Sequence, residues 1–263
     1  MREAGLILWQ AHEKARELVC AGITTKEIDT AVEKIILSKG AVPLFKGVPG
    51  KIPFPASACI SVNEEVVHGI PSKRKLISGD IVSIDIGVKY NGWCADAAVT
   101  LPVGEISIEK TELVRETENA LRYAISKIRP KVNWNNIAGP MQKQAESRGY
   151  SIVRELVGHG IGRDMWEPPQ IPNYMVKNEM DFPILKGATL AVEPMINMGN
   201  REVITKDDGW TIVTRDGKPS AHFEHTVAVT REGAIILTCG PGGEGWAMPE
   251  CIPVLQPSPS LSR

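Results

Sequence analysis

One short pattern occurs twice in this chain in the same order, and it limits the fold more than any other feature. VVHGI at 66–70 resembles VGHGI at 157–161, GDIVSID at 79–85 resembles GATLAVE at 187–193, and ADAAVT at 95–100 resembles FEHTVAVT at 223–230. Each half runs His-Gly-Ile, then a strand-like segment that ends on a carboxylate, then a second that opens on one. One short match arises easily by chance. Three in one order point to two related α+β halves facing each other across a pseudo-twofold axis. The polar residues of both halves would then converge at the centre.

Local signals supply the elements of each half. Residues 1–20 have the spacing of an amphipathic helix. Thr24-x-x-Glu27 is a capping box before the apolar stripe Ile28, Val32, Ile35 and Ile36, which Gly40 stops. GVPGKIPFP at 47–55 must be loop, with three prolines and two glycines. ACISVN, IVSIDIGVK and WCADAAVTLPVG are predicted strands, the last two joined by a turn at Tyr90–Asn91–Gly92. A helix is expected from about Ser107 to Ile128, and another ending near Gly149 that Gly139–Pro140 kinks or shortens. SIVRELVG, ATLAVEPM, WTIVT, HFEHTVAVT and AIILT read as further strands. The expected organisation is one catalytic domain over 1–239, followed at 240–263 by a Gly/Pro/Ser-rich tail with little core to contribute.

Composition excludes several classes of function. The 263 residues carry a formal net charge of −1, and no Lys/Arg block suggests a nucleic-acid surface. No apolar run approaches the roughly 18–20 residues that span a bilayer, so a membrane role is not expected. The opening segment lacks a signal-peptide layout, and the five cysteines are scattered with no CxxC spacing. Reduced buried thiols in a cytoplasmic protein are the expectation. No heptad pattern stands out, which favours a monomer.

The chemistry lies in four acids. Asp85, Asp96, Glu193 and Glu224 sit in the apolar contexts SIDIG, CADAAV, AVEPM and HFEHT. A carboxylate in a half-buried strand is costly unless paired, hydrogen-bonded or bound to metal. Any one of them alone is adequately explained as a structural acid. Four anions together with the histidine of GHGIG, and no basic partner in the same segments, would repel one another unless divalent cations intervene. Two ions held about 3.5–4 Å apart need bridging carboxylates and terminal ligands. An oxygen-rich set with one imidazole suits Mn, Fe, Co or Zn without selecting among them. The reaction class is metal-assisted hydrolysis.

HGIP (68–71), GDIVSIDIG (79–87), DAAVT (96–100), GHGIG (158–162), EPM (193–195) and FEHT (223–226) together resemble the type I methionine aminopeptidases, of the pita-bread fold. The resemblance covers roughly residues 4–238. It implies an α+β fold of two pseudo-symmetric halves around a central antiparallel sheet. It also implies metal-dependent removal of the first methionine from nascent proteins and peptides. By the same resemblance, Asp96 and Glu224 bridge two divalent ions, Asp85 completes one, and His159 and Glu193 complete the other. Glu193 further matches the residue that handles the proton of the attacking water, and His68 a histidine beside the substrate. Phe54, Cys59, Met165 and Trp210 fall at or near the positions that line the family's methionine pocket, whose apolar, sulfur- and ring-rich character suits a thioether. The partners implied are free protein N-termini, with the ribosome as a further one.

Three features depart from the family. The loop before Phe54 is about three residues longer than usual, Val48 stands where a tyrosine is common, and Trp166 replaces a histidine seven residues past His159. Indole keeps one N–H donor but cannot accept a hydrogen bond or become charged. Losing a transition-state donor costs ~10²–10³ in rate. Trp166 therefore keeps other readings open: a catalytically impaired homologue, an X-Pro type aminopeptidase, or a noncatalytic module that binds N-termini. Of the remaining histidines, His12 is expected on the solvated side of its helix, His222 near the cleft, and His225 on the face opposite Glu224.

Overall fold

A computed structural model describes residues 1–249, and in it two pairs of helices and, among four antiparallel sheets, the four-stranded and the five-stranded one repeat the pattern seen in the sequence. Helix α1 (Arg2–Leu18) buries Ala4, Ile7, Leu8, Ala11 and Ala15 along one stripe. Helix α2 (Thr25–Ser38) starts at the expected capping box: the Thr24 hydroxyl accepts the Glu27 N–H, and the Glu27 carboxylate accepts the Thr24 N–H at 2.8 Å. Both cover the first half. Helices α3 (Ile108–Lys127, capped by Ser107) and α4 (Asn135–Ser147) cover the second. Pro140 lies inside α4, which runs through it unbroken, so the helix is not shortened there.

In the first half, strands Ile81–Tyr90 and Trp93–Pro102 pair antiparallel along their whole length, and Ala58–Val62 adds to the outer edge. The hairpin closes on Asn91 and Gly92, both at positive φ, which suits an Asn-Gly turn. Gly87 stands opposite Asp96, and Asp85 opposite Ala98. Side chains alternate along a strand, so Asp85 and Asp96 project from one face as diagonal neighbours. In the second half, Thr189–Val192 pairs with His225–Val229 on one side and Gly158–Gly160 on the other.

The two halves join where the acids lie. The Glu224 N–H donates to Ala98 O at 2.9 Å, and the Ala98 N–H returns a bond to Glu224 O at 3.4 Å. On either side, threonine hydroxyls replace backbone partners. Thr226 Oγ1 donates to Asp96 O and accepts the Asp96 N–H, while Thr100 Oγ1 does the same with His222, all at 2.8–2.9 Å. The two segments run antiparallel about this centre. The core behind them includes Ile60, Ile84, Ile86, Leu113, Leu121, Ile125, Trp134 and Val192, all fully buried.

Some sequence expectations need correction. The segment SIVRELVG forms strand only at Ser151–Ile152 and at Gly158, which opens the strand Gly158–Gly160, and Glu224 stands between the strands Ser220–His222 and His225–Val229 rather than inside one. Residues 240–249, expected to add little to the core, place Trp246 and Ala247 within it; residues 250–263 and Cys251 lie outside the described residues. His12, expected in solvent, is 1% exposed. Cys59, Cys94 and Cys239 are buried free thiols, and Cys20 is exposed. Among the described residues, no helix is long and apolar enough to cross a membrane.

Candidate metal centre

All eleven residues singled out from the sequence line one cleft of about 540 Å³: Phe54, Cys59, His68, Asp85, Asp96, His159, Met165, Trp166, Glu193, Trp210 and Glu224. Its floor is the cluster of acids. Ligand atoms of Asp96, His159 and Glu224 all lie within 4.8 Å of one another. His159 Nε2 stands 3.6 Å from Glu193 Oε1. His159 Nδ1 lies 2.8 Å from Gly160 O. Because a carbonyl can only accept, Nδ1 carries the hydrogen and Nε2 turns its lone pair toward the acids. The flanking glycines permit this: a Cβ on Gly158 would collide with Ala191 O.

The acids are buried without adequate partners. Asp85 Oδ1, Asp96 Oδ1 and Glu224 Oε1 are inaccessible and make no hydrogen bond. Burial and mutual repulsion push the carboxyls of Asp85, Glu193 and Glu224 well above their ordinary range, and burial raises Asp96 to about 7. Burial pulls the His159 imidazole down, so it is neutral near pH 7. Orphaned anionic oxygens around a neutral imidazole are a donor set for divalent cations, which would supply the missing positive charge.

His68 overhangs the floor from a strained position, with φ at +57°. Such a conformation in a non-glycine residue persists only where the surroundings impose it. Here Gly69 passes so close to the strand Ala58–Val62 that a Cβ would collide with Ile60 O. The Gly69 N–H donates to Ser61 Oγ at 3.0 Å, which fixes the turn. Burial lowers His68 to about 4, so its ring is neutral.

Beside the acids lies an apolar recess formed by Phe45, Phe54, Cys59 and Met165, with Val48 and Trp210 packed against it. Phe54 and Trp210 meet edge to face with centroids 5.3 Å apart. The long 47–55 loop holds this wall, since the Trp210 indole N–H donates to Ile52 O at 2.7 Å. Phe45 and Leu156 also line the cleft and were not singled out from sequence. Phe45 precedes the loop with no flanking motif, so only the fold brings it in. His222 closes the back, its Nε2 3.8 Å from Glu193 Oε2, and burial holds it neutral with a pKa of about 3. Trp166 stands at the mouth, 58% exposed, its ring 6.5 Å from that of His159.

Two paired half-sheets that present an acid-and-histidine cluster beside an apolar recess define a metal-dependent hydrolase. The chain belongs to metallopeptidase family M24, whose model matches residues 1–231. It is 49% identical to methionine aminopeptidase 1 of Bacillus subtilis and 48% identical to the methionine aminopeptidase of Clostridium perfringens, over 90% of this chain and 94% of each relative. The solved methionine aminopeptidase of Thermotoga maritima superposes with a TM-score of 0.86 at 44% identity, over 90% of this chain and 94% of that one. The prolidase of Pyrococcus furiosus, 23% identical over 90% of this chain and 62% of its own, shares the fold with a TM-score of 0.73.

Proposed function

We propose that this chain removes the N-terminal methionine from peptides and nascent proteins by two-metal hydrolysis. The observation that carries this reading is the placement of the apolar recess of Phe54, Cys59, Met165 and Trp210 directly beside the orphaned carboxylates, in one cleft. A methionine side chain in the recess brings its own peptide bond over the acids, and its free amine falls among anions. An internal peptide has no amine to place there, which confines cleavage to the first residue.

Asp85, Asp96, His159, Glu193 and Glu224 would hold the cations, Asp96 and Glu224 as ligands common to both. When bound, the cations lower the pKa of a water and polarise the carbonyl under attack. Glu193, buried beside two neutral imidazoles, takes the proton of that water and delivers it to the leaving amine. His68, kept neutral by burial, donates a hydrogen bond to the carbonyl oxygen as negative charge develops there. The apolar walls exclude bulk water, which strengthens each of these interactions.

The curated relatives support methionine rather than proline-directed cleavage, since likeness to prolidases at this identity speaks only of fold. The test is hydrolysis of Met-Ala-Ser, Leu-Ala-Ser and Ala-Pro-Ser by metal-stripped protein resupplied with Mn²⁺ or Co²⁺. Metal-dependent cleavage confined to the methionine peptide is expected. Cleavage of Ala-Pro-Ser would move the function to the proline-directed relatives. Metal binding without cleavage of any of the three peptides would favour a module that binds N-termini.

A further inference from the structure

Three aromatic groups that the proposed chemistry does not use meet behind the metal centre: His12, His225 and Trp246. Trp246 is 5% exposed. Its indole lies nearly parallel to the His225 ring, with centroids 4.8 Å apart and planes at 10°. The His12 ring meets it edge-on at 4.9 Å and 66°.

Hydrogen bonds tie this stack to the backbone of the acids. The Trp246 Nε1–H donates to Glu224 O at 3.1 Å. His12 Nε2 lies 2.9 Å from Ala97 O, so it must carry the hydrogen and donate, one residue from Asp96. His225 Nε2 donates likewise to Trp246 O at 2.8 Å, which leaves Nδ1 of the neutral ring to accept from the Thr238 hydroxyl at 2.8 Å. The Thr226 N–H in turn donates to Thr238 Oγ1 at 3.2 Å. The circuit departs the chain at Glu224 and re-enters at Thr226.

Glu224 needs such support because it lies in the gap between two strands. Its carbonyl otherwise receives only the Ala98 N–H at 3.4 Å, longer than the bond from Trp246. The segment that brings Trp246 is itself anchored. The Ala247 N–H donates to Glu118 Oε1 at 2.8 Å, and Arg2 donates to the carbonyls of Leu237, Cys239 and Gly240. The family model ends at residue 231, so Trp246 lies past the part this chain shares with it.

We infer that Trp246 is a positioning residue: from outside the family-matched region it braces the backbone of Glu224 and, through His12, that of Asp96, so that both carboxylates stand where two cations can share them. This rests on the two-metal reading above. A ligand displaced by more than about 0.5 Å no longer holds its ion well, so the brace acts on metal affinity and turnover rather than on substrate binding.

The test uses the full chain with Trp246→Phe and Trp246→Leu, stripped of metal and titrated with Mn²⁺ alone by calorimetry. Trp246→Phe keeps the stack and loses the donor. Its Mn²⁺ affinity is expected to fall about threefold to tenfold, the worth of one hydrogen bond, and kcat to fall while KM for Met-Ala-Ser holds. Trp246→Leu, which loses the stack as well, is expected to lose more of both. Parent-like affinity and kcat in Trp246→Phe, or a lowered Tm of the metal-free protein with neither of these changed, would overturn the inference. A parent chain that binds no Mn²⁺ would overturn the two-metal reading itself, and the brace with it.

Discussion

Ala98 and Glu224 exchange backbone hydrogen bonds, 2.9 Å from the Glu224 N–H and 3.4 Å in return. This pair fastens the two halves together two residues along from Asp96. The same contact that closes the fold therefore carries like charges toward one another, and the fold accepts a cost in order to build the cleft. Asp96→Asn should separate the two effects. Activity is expected to fall at least ~10²-fold, the upper range even for disturbing a group behind a metal ligand. Tm of the metal-free protein is expected to rise, by about 2–4 °C for each kcal/mol of buried repulsion relieved. A metal-free Asp96→Asn protein that melts below the parent would show that the carboxyl is structurally satisfied, against the orphaned Oδ1.

The pH dependence of the metal-free protein follows from two opposing sets of groups. Asp85, Asp96, Glu193 and Glu224 have raised pKa values, with burial the largest cause in each and Asp96 at about 7. A carboxyl raised in the folded state contributes stability below its unfolded pKa near 4, and that contribution is lost as pH rises through the folded value. His12 and His222 at about 3, His68 and His225 at about 4, and the lowered His159 act in reverse, costing stability as pH falls below about 6.5. Between about pH 7 and 8.5 the histidines are neutral in both states, and Asp85, Glu193 and Glu224, held well above their ordinary range, act against the single Met1 amine, which burial lowers and which favours the folded state as pH rises. Tm measured by calorimetry without metal is expected to fall across that window. Saturating Mn²⁺ should raise Tm most at its upper end, because cations replace the protons. A flat or rising metal-free profile would remove the electrostatic argument for the site.

Much of this was legible because the decisive residues sit in periodic or punctuated segments. The capping box at Thr24–Glu27, the turn at Asn91–Gly92 and the strand alternation that sets Asp85 beside Asp96 are all local. Trp246 was hidden for the opposite reason. It stands alone in a Gly/Pro-rich run, and its burial depends on a slot made by residues far away in sequence. His12 could have been found, since it lies four residues after Leu8 and next to Ala11, on the buried stripe of α1. A histidine there attracted the reading usual for its type rather than for its position. The gap at Glu224 was illegible because a continuous β-rich run does not reveal where a strand passes from one neighbour to another.

Cys59 offers a test of the recess. It is 4% exposed and pairs across the sheet with Asp85. Burial, then the nearby acids, push its thiol upward, so it should resist alkylation at pH 7.5 while the exposed Cys20 reacts. Cys59→Ser is nearly isosteric but places a hydroxyl against the substrate side chain. Burying that group without a partner costs about 1–3 kcal/mol, so KM for Met-Ala-Ser is expected to rise at least about fivefold with kcat little changed. Unchanged KM would place the methionine side chain elsewhere.

Trp166 decides how fast the proposed enzyme runs. Its indole is 58% exposed at the mouth, edge-on to His159 with ring centroids 6.5 Å apart. An exposed side chain contributes little to folding, so Trp166→His should leave Tm within about 1–2 °C. By the family resemblance, the histidine that Trp166 replaces would donate to the substrate near the scissile bond, and an imidazole there is smaller than the indole. Regaining one transition-state donor is worth ~10²–10³ in rate. With Met-Ala-Ser, kcat is accordingly expected to rise by at least about tenfold, more than any fall in KM. Trp166→Phe, which loses the indole N–H and gains nothing, serves as the comparison. If Trp166→His turns over no faster than the parent while Trp166→Phe turns over more slowly, the indole N–H is itself the working donor, and this chain has replaced the imidazole rather than lost it.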